Sequence, residues 1–371
     1  MRTVFVTPFV PAVGTGTTRR TLSLVHALAR LGPVEVAYAP FGPGEPEAAL
    51  AATNGVSLRA VAPSRGLRRG VAYARARAAG TPDGFARGAS PELADVASAA
   101  GPDDRVVADG PTVAAALLPL ARRRPVVYNA HNLESAFRHE LAGAEATERS
   151  TLERFERRLL ETMGQSWMVS RPEVQAALAI APGADVRYVP NAVDVAAILP
   201  VTPPGARRLL FAADHTYAPN QDALAFLLDE VMAHVWRALP DARLAICGRG
   251  LDPAVGDRDE RIEALGFVDD MTAVYGRCDA VAVPLRQGGG SPLKFVEAMA
   301  YALPVVATPK AAAGLEAQPG LHYLEGEEPV AFAAAVIRAL GEQAGGVGPA
   351  GRELAEREYS VEALAQRLAA C

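Results

Sequence analysis

Short apolar runs alternate with longer stretches of helical period, and the alternation occurs twice along the chain. A chain patterned this way builds βα units, whose strands run parallel with helices covering both faces of the sheet. In the first half, Thr3 to Pro8 reads as a buried strand and Gly14-Thr15-Gly16 as a turn. Thr18 to Arg30 then reads as a helix carrying Leu22, Val25, Leu28 and Ala29 on one face. Strands are expected at Val34 to Tyr38, Arg105 to Ala108, Pro125 to Tyr128, Ser166 to Val169 and Asp185 to Val189, with helices around Thr112 to Arg122 and Ala146 to Met163. Ala79 to Pro102 reads only as mixed loop and short helix. Pro200, Pro203 and Pro204, among small residues, mark a linker between Ala192 and Arg207. A second series follows, with strands at Arg208 to Ala212, Ala242 to Cys247, Ile262 to Phe267, Asp279 to Pro284 and Pro304 to Ala307. Helices fit at Asn220 to Ala238, Pro292 to Tyr301 and Ala331 to Leu340. The tail from Arg352 to Ala370 is helical in character, broken near Tyr359-Ser360. With 371 residues there is room for two or three domains. The economical architecture is α/β: two Rossmann-like, doubly wound domains, residues 1–190 and 191–355, facing one cleft, with a terminal helix over 356–371.

Composition narrows the function classes. Half the residues are hydrophobic and 21% are charged, enough for a sizeable core, and a formal net charge of −5 argues against wholesale nucleic-acid binding. No apolar run approaches the ~18 residues of a membrane span. The N-terminus enters a strand pattern at once, without a signal core, so a cytoplasmic protein is expected. Cys247, Cys278 and Cys371 are widely spaced and form no metal-like pattern. Only Lys294 and Lys310 among the 37 basic residues are lysines, so each draws attention in a chain that otherwise writes Arg.

The most informative stretch runs from Pro284 through Gly288-Gly289-Gly290-Ser291-Pro292-Leu293-Lys294 to Glu297 and Ala300. Ser291 is the expected N-cap and Pro292 the first helical residue. Exposed N–H groups at such a helix start, preceded by glycines that admit close approach, suit a diphosphate. Lys294 in the first turn opposes the helix dipole unless an anion binds. Glu297 and Tyr301 share its face, offering a carboxylate to a ribose diol. A capped surface helix with an incidental Lys–Glu pair is the plainer alternative.

The same segment closely resembles the nucleotide-sugar motif of the GT-B glycosyltransferases, specifically the retaining glycosyltransferase family 4 (group 1). That motif is a Gly-rich loop, a helix reading roughly K-x-x-E-A-M-A and a P-V-V-A-T strand. The counterparts are Lys294, Glu297-Ala298-Met299-Ala300 and Pro304-Val305-Val306-Ala307-Thr308. Val189-Pro190-Asn191-Ala192-Val193-Asp194 looks like the family's interdomain P-N-G-V-D. Leu244-Ala245-Ile246-Cys247-Gly248-Arg249-Gly250 is similar to its strand ending in G-x-G, and Leu265-Gly266-Phe267-Val268-Asp269-Asp270 to its G-x-V-x-D turn.

The resemblance implies a GT-B fold and a hexosyltransferase-type enzyme. It would move a sugar from a UDP, GDP or dTDP donor to an acceptor hydroxyl with retention, without a cofactor or metal. Glu297 would hold the ribose, Lys294 the diphosphate, Gly289 and Gly290 the donor sugar, and Phe267-Val268 the base. Domain closure would complete the site, and the terminal helix would pack back on the first domain. Two departures stand out. Gly289 occupies the place of the first glutamate of the family's E-x7-E pair, and the stretch Phe211 to Asn220 lacks the usual Arg and Lys, so the diphosphate charge would be met by Lys294, Arg249, Arg286 or the helix dipole.

Further candidates are weaker. Gly14-Thr15-Gly16 opens a helix and either approaches phosphate or acceptor or is a plain βα turn, and Arg at position 19 weakens a dinucleotide fingerprint. His131 follows an apolar strand and is the candidate for acid–base or positioning work, a structural histidine being the plainer alternative, and Glu134 is a lesser partner that reads equally as a helix cap or surface residue. Asp257-Arg258-Asp259 spells D-x-D yet sits in a loop, and no metal is expected. Arg65, Arg68, Arg69, Arg75 and Arg77, with Arg122-Arg123-Arg124, offer anionic lipid a contact, although a solvated face is the favoured reading. Lys310 is read as capping a loop end. The acceptor, whether small molecule, glycan or lipid, in secondary-metabolite or polysaccharide biosynthesis, is not readable. A sugar-nucleotide epimerase and a non-catalytic nucleotide-sugar binding protein are the alternatives.

Overall fold

The structure, a computed structural model, describes residues 1–371 except 13, 15, 40–44, 64, 137–145, 342, 343 and 345. The chain forms two compact units, Met1–Asn191 with Leu364–Cys371, and Ala192–Ala363. The first holds seven parallel strands: β1 (Thr3–Thr7), β2 (Val34–Tyr38), β3 (Val56–Ala60), β4 (Arg105–Asp109), β5 (Val127–Asn129), β6 (Gln165–Met168) and β7 (Val186–Tyr188). Their order is β3-β2-β1-β4-β5-β6-β7. The principal helices of this unit are α1 (Gly16–Ala29), α2 (Gly66–Ala78), α3 (Gly110–Ala121), α4 (Ala146–Thr162) and α5 (Arg171–Ile180).

The second unit holds β8 (Arg208–Ala212), β9 (Arg243–Cys247), β10 (Ile262–Gly266), β11 (Ala280–Val283), β12 (Val305–Ala307) and β13 (Leu324–Glu325). They are again parallel, in the order β10-β9-β8-β11-β12-β13. Its helices include α6 (Ala218–Ala225), α7 (Leu293–Ala300), α8 (Pro329–Leu340) and α9 (Val347–Glu358), and α10 (Val361–Ala369) carries the chain to its end. Both sheets are the doubly wound, Rossmann-like sheets that the alternating pattern predicts. Among the described residues no helix is long and apolar enough to cross a membrane.

Strand residues point alternately to the two faces, and in the second sheet both faces are buried. Leu210, Ala245, Val281, Val283 and Val305 enter one apolar cluster with α7, while Leu209, Phe211, Leu244, Ile246 and Ala282 enter another with α8. This explains why those strands read as continuous apolar runs. β3 escaped the sequence reading because it is an edge strand whose residues, including Ser57 and Arg59, are exposed or half-buried. The helix expected over Asn220 to Ala238 is interrupted by a π turn at Phe226–Val231.

Two buried carboxylates anchor the chain after β5. Glu156 of α4 accepts from the backbone N–H groups of Glu134 and Ser135 and from the Ser135 hydroxyl. Glu173 of α5 accepts from the Leu133 N–H at 3.2 Å and from Ser170 Oγ at 3.2 Å. Burial raises both carboxyls, Glu156 to about 7 against these hydrogen bonds. Close approach of another kind fixes Gly248, at φ +130°, where an added Cβ would lie 1.7 Å from the Ala213 carbonyl oxygen.

Gly248→Ala should destabilise the chain by about 2–4 kcal/mol through backbone strain and overlap, measured by urea unfolding. Between pH 4.5 and about 7 folded Glu156 keeps a proton that the unfolded chain releases, so its contribution to stability falls as pH rises through that window. In Glu156→Gln the fall should flatten by up to about 3 kcal/mol across the window, read as the difference between the two stability–pH curves.

Candidate functional site

In each sheet the winding reverses between two adjacent strands, β1 and β4 in the first and β8 and β11 in the second. Helices leaving the carboxyl ends of such a pair go to opposite faces, so polar groups at the strand tips are left in a crevice.

In the second unit α6 follows β8 and α7 follows β11, and the two first turns meet across the reversal. Lys294 Nζ donates to Asn220 Oδ1 at 2.7 Å and lies 5.2 Å from the centre of the Phe211 ring. Asn220 Nδ2 in turn donates to the Asp214 carbonyl oxygen at 2.8 Å. Lys294 is half-buried, and that burial pulls its ammonium down to about 8, against the opposing charges of Glu297 and Asp214. An ammonium has three donors, and among the described residues one of them is engaged. Glu297, half-buried on the same helix, is near enough to Cys247 that its charge adds to the burial raising that thiol to about 11.

The loop before α7 has Gly288 at φ +110° and Gly290 at φ +78°, conformations that L side chains rarely adopt. Gly289 lies between them. The cap differs from the expectation. Pro292, with ψ 112°, is the N-cap residue and Leu293 the first helical one, so buried Ser291 stands one position outside the helix. The proline ring presets φ but leaves ψ free, and an extended ψ moves the first turn one residue on.

Both candidate arginines carry carboxylate partners. Arg249 pairs with Asp214. Arg286 meets Asp222 at 2.6 and 3.1 Å and Glu230 at 3.4 Å, lying over the Phe226 ring. Lys294, by contrast, hydrogen-bonds a neutral amide. Phe267 is 69% exposed and Val268 half-buried after β10. His215, missed in the sequence, is buried against Phe211 and places Nε2 3.2 Å from the Cys247 carbonyl oxygen. Asn220 carries no local signal either, because its role depends on Lys294, 74 positions away.

In the first unit the tips of β1, β4 and β5 hold a buried polar network. Asp109 and Asn129 are register partners at the ends of β4 and β5, and Asn129 Nδ2 donates to Asp109 Oδ1 at 2.7 Å. His131 Nε2 lies 2.7 Å from that same oxygen, while Thr21 Oγ1 donates to Asp109 Oδ2 at 2.7 Å. Burial raises the Asp109 carboxyl, but the charge of His131 and the hydrogen bonds from His131, Thr21 and Thr7 outweigh it and hold the group below the usual carboxylate range. Gly110, at φ +80°, makes room for the imidazole: a Cβ there would stand 3.1 Å from His131 Cε1. Arg20 of α1 is 2% exposed and donates to Asn129 Oδ1, to Asn191 Oδ1 at 3.2 Å and to the Val189 carbonyl oxygen. Asn191 is therefore engaged inside the first unit.

His131 thus sits at a strand tip as expected, whereas the Arg20–Asn129–Asp109 network behind it was not anticipated. Its signal in the sequence was a pair of polar residues, Asp109 and Asn129, ending two otherwise apolar strands. Gly16 opens α1 and Gly14 lies just before it, and Thr15 falls outside the described residues. In the D-x-D stretch Arg258 pairs with Asp229 and Asp259 with Arg261 at 2.6 Å. Among the described residues no cluster of three or more His, Cys, Asp or Glu is placed to hold a metal.

Residues 206–342 match the family model described as glycosyl transferases group 1. No curated protein sequence matches the chain. Solved structures do, over its full length. Sucrose-phosphate synthase from Thermosynechococcus elongatus aligns with a TM-score of 0.75 and 17% identity, covering 100% of this chain and 97% of that one. TarM from S. aureus, solved with fondaparinux, alpha-GlcNAc-glycerol and UDP, aligns at 0.74 and 10%, covering 100% and 99%. HepE from Anabaena, solved with UDP and glucose, aligns at 0.68 and 14%, covering 100% and 98%. The chain has the GT-B fold, and the greater part of its second unit is similar to a group 1 glycosyltransferase domain.

Proposed function

We propose that the protein is a retaining glycosyltransferase of the family 4 type, moving a hexose from a nucleoside diphosphate sugar to an acceptor hydroxyl without a metal. The observation that carries this reading is Lys294, a cation on the first turn after a triple-glycine loop, hydrogen-bonded to a neutral amide and, among the described residues, with donors to spare. A leaving diphosphate gains negative charge as its bond to the sugar carbon breaks, and a fixed cation with a helix N-terminus favours that charge more as it develops. Glu297, one turn further, would take the ribose hydroxyls, and Gly288 to Ser291 would line the phosphates. His131, oriented by Asp109, would position the sugar or the acceptor. Arg249 would serve the diphosphate only after exchanging Asp214 for it. UDP heads the donors to test, since the solved HepE and TarM structures hold UDP.

Lys294→Ala should lower turnover by about 10²-fold or more, the scale for removing one charge-stabilising donor. UDP affinity of the wild type should weaken as pH rises through about 8, where the free ammonium loses its proton, and Lys294→Ala should lose that dependence. The deciding experiment is thermal stabilisation by UDP, GDP, ADP and dTDP, with NAD as control, in wild type and Glu297→Ala. A diphosphate at 100 times its Kd adds about 2.7 kcal/mol. Stabilisation by one diphosphate, lost in the variant and followed by sugar transfer, is expected, whereas a response to NAD alone, or to none of them, would sink the reading.

A further inference from the structure

Helix α2 is oriented against the usual rule. A surface helix normally turns its apolar stripe inward, yet none of the thirteen residues of α2 is buried. Ala72, Tyr73 and Ala76, on the inner side, are half-buried. Leu67, Val71, Ala74 and Ala78, spaced i, i+4, i+7 and i+11, form one continuous stripe that faces solvent. Leu67 is 85% exposed.

Cations flank that stripe on both sides. At 100° per residue Arg68 and Arg75 fall along one edge and Arg77 along the other. The helix contains no acidic residue. Arg68 is partly neutralised by Glu92 at 3.2 Å and Asp95 at 2.6 Å. Arg77 reaches the Thr81 carbonyl oxygen at 2.8 Å, and Arg75 has no carboxylate partner among the described residues. Long arginine stems can lie along an apolar surface while their heads reach outward. An apolar stripe this shallow, with positive charge along both borders, is complementary to a flat anionic surface with an apolar interior.

We propose that α2 is an interfacial helix docking the first unit onto anionic lipid, with Leu67 and Val71 at the headgroup–acyl boundary and Arg68, Arg75 and Arg77 against lipid phosphates. Such binding combines modest apolar burial with electrostatic attraction of about 1 kcal/mol per cation, and it weakens with salt. Docking by α2 needs nothing from the transfer chemistry, so either can fail without the other.

The test is co-sedimentation of the full chain with phosphatidylcholine vesicles, with and without phosphatidylglycerol, at low and high salt. Binding is expected only to the anionic vesicles and should fall as salt rises. Leu67→Glu should reduce it about tenfold or more and Arg75→Ala about fivefold. Because these side chains are not buried, an unchanged melting temperature shows that the variants remain folded. Absence of binding to anionic vesicles, equal binding to neutral ones, or binding unaffected by both substitutions would each overturn the proposal. So would wild-type self-association in the ultracentrifuge that Leu67→Glu abolishes without vesicle binding, since the stripe would then belong to a second copy.

Discussion

The reversal of winding in a parallel sheet is the constraint on which both units depend. Where β1 meets β4 and β8 meets β11, no crossover covers the strand tips, and polar groups can be enclosed there without interrupting the ladder. Each reversal holds a cation beside an amide: Arg20 with Asn129 in the first unit, Lys294 with Asn220 in the second. Burial lowers both, Arg20 to about 10 and Lys294 to about 8. Arg20 uses Nε and both Nη atoms on fixed protein acceptors. Its role is to tie α1 to β5 and to the chain leaving β7. Among the described residues Lys294 uses one donor, which leaves a cation whose remaining hydrogen bonds a ligand can complete.

This difference also explains why the two candidate arginines are poor substitutes for Lys294. Arg249 and Arg286 answer carboxylates of Asp214, Asp222 and Glu230. A ligand recruiting either must first leave a carboxylate unpaired, which offsets much of the gain. In a chain with only two lysines, the one placed beside a neutral amide is the cation that a diphosphate can take without displacing an anion.

Much of the fold was legible because buried parallel strands announce themselves as apolar runs, and Leu209 to Phe211 and Ala280 to Val283 do so on both faces of their sheet. Val56–Ala60 did not, since an edge strand half in water has no such run. At the candidate site, the loop and Lys294 were visible from local chemistry: glycine for positive φ and a helix start for anions. The cap slipped by one residue because φ of Pro292 is preset but its ψ is not. The roles of Asn220 and Asp109 were harder to read for a different reason. Each matters through a partner 74 or 22 positions away, Lys294 or His131, and only strand order brings those partners together.

The stripe on α2 was hidden in another way. Its arginines were visible, but a sequence rich in Arg makes solvated cations the ordinary expectation, and an Ala-rich helix can bury almost any face. What the fold adds is the choice of face. By turning Ala72, Tyr73 and Ala76 inward, with Tyr73 donating to Asp83 at 2.7 Å, the chain leaves Leu67 and Val71 outward at a cost in exposed apolar area. An outward Leu on its own needs no explanation. Four exposed apolar residues in helical register, bordered by arginines, form a contiguous surface that an external apolar phase would remove from water.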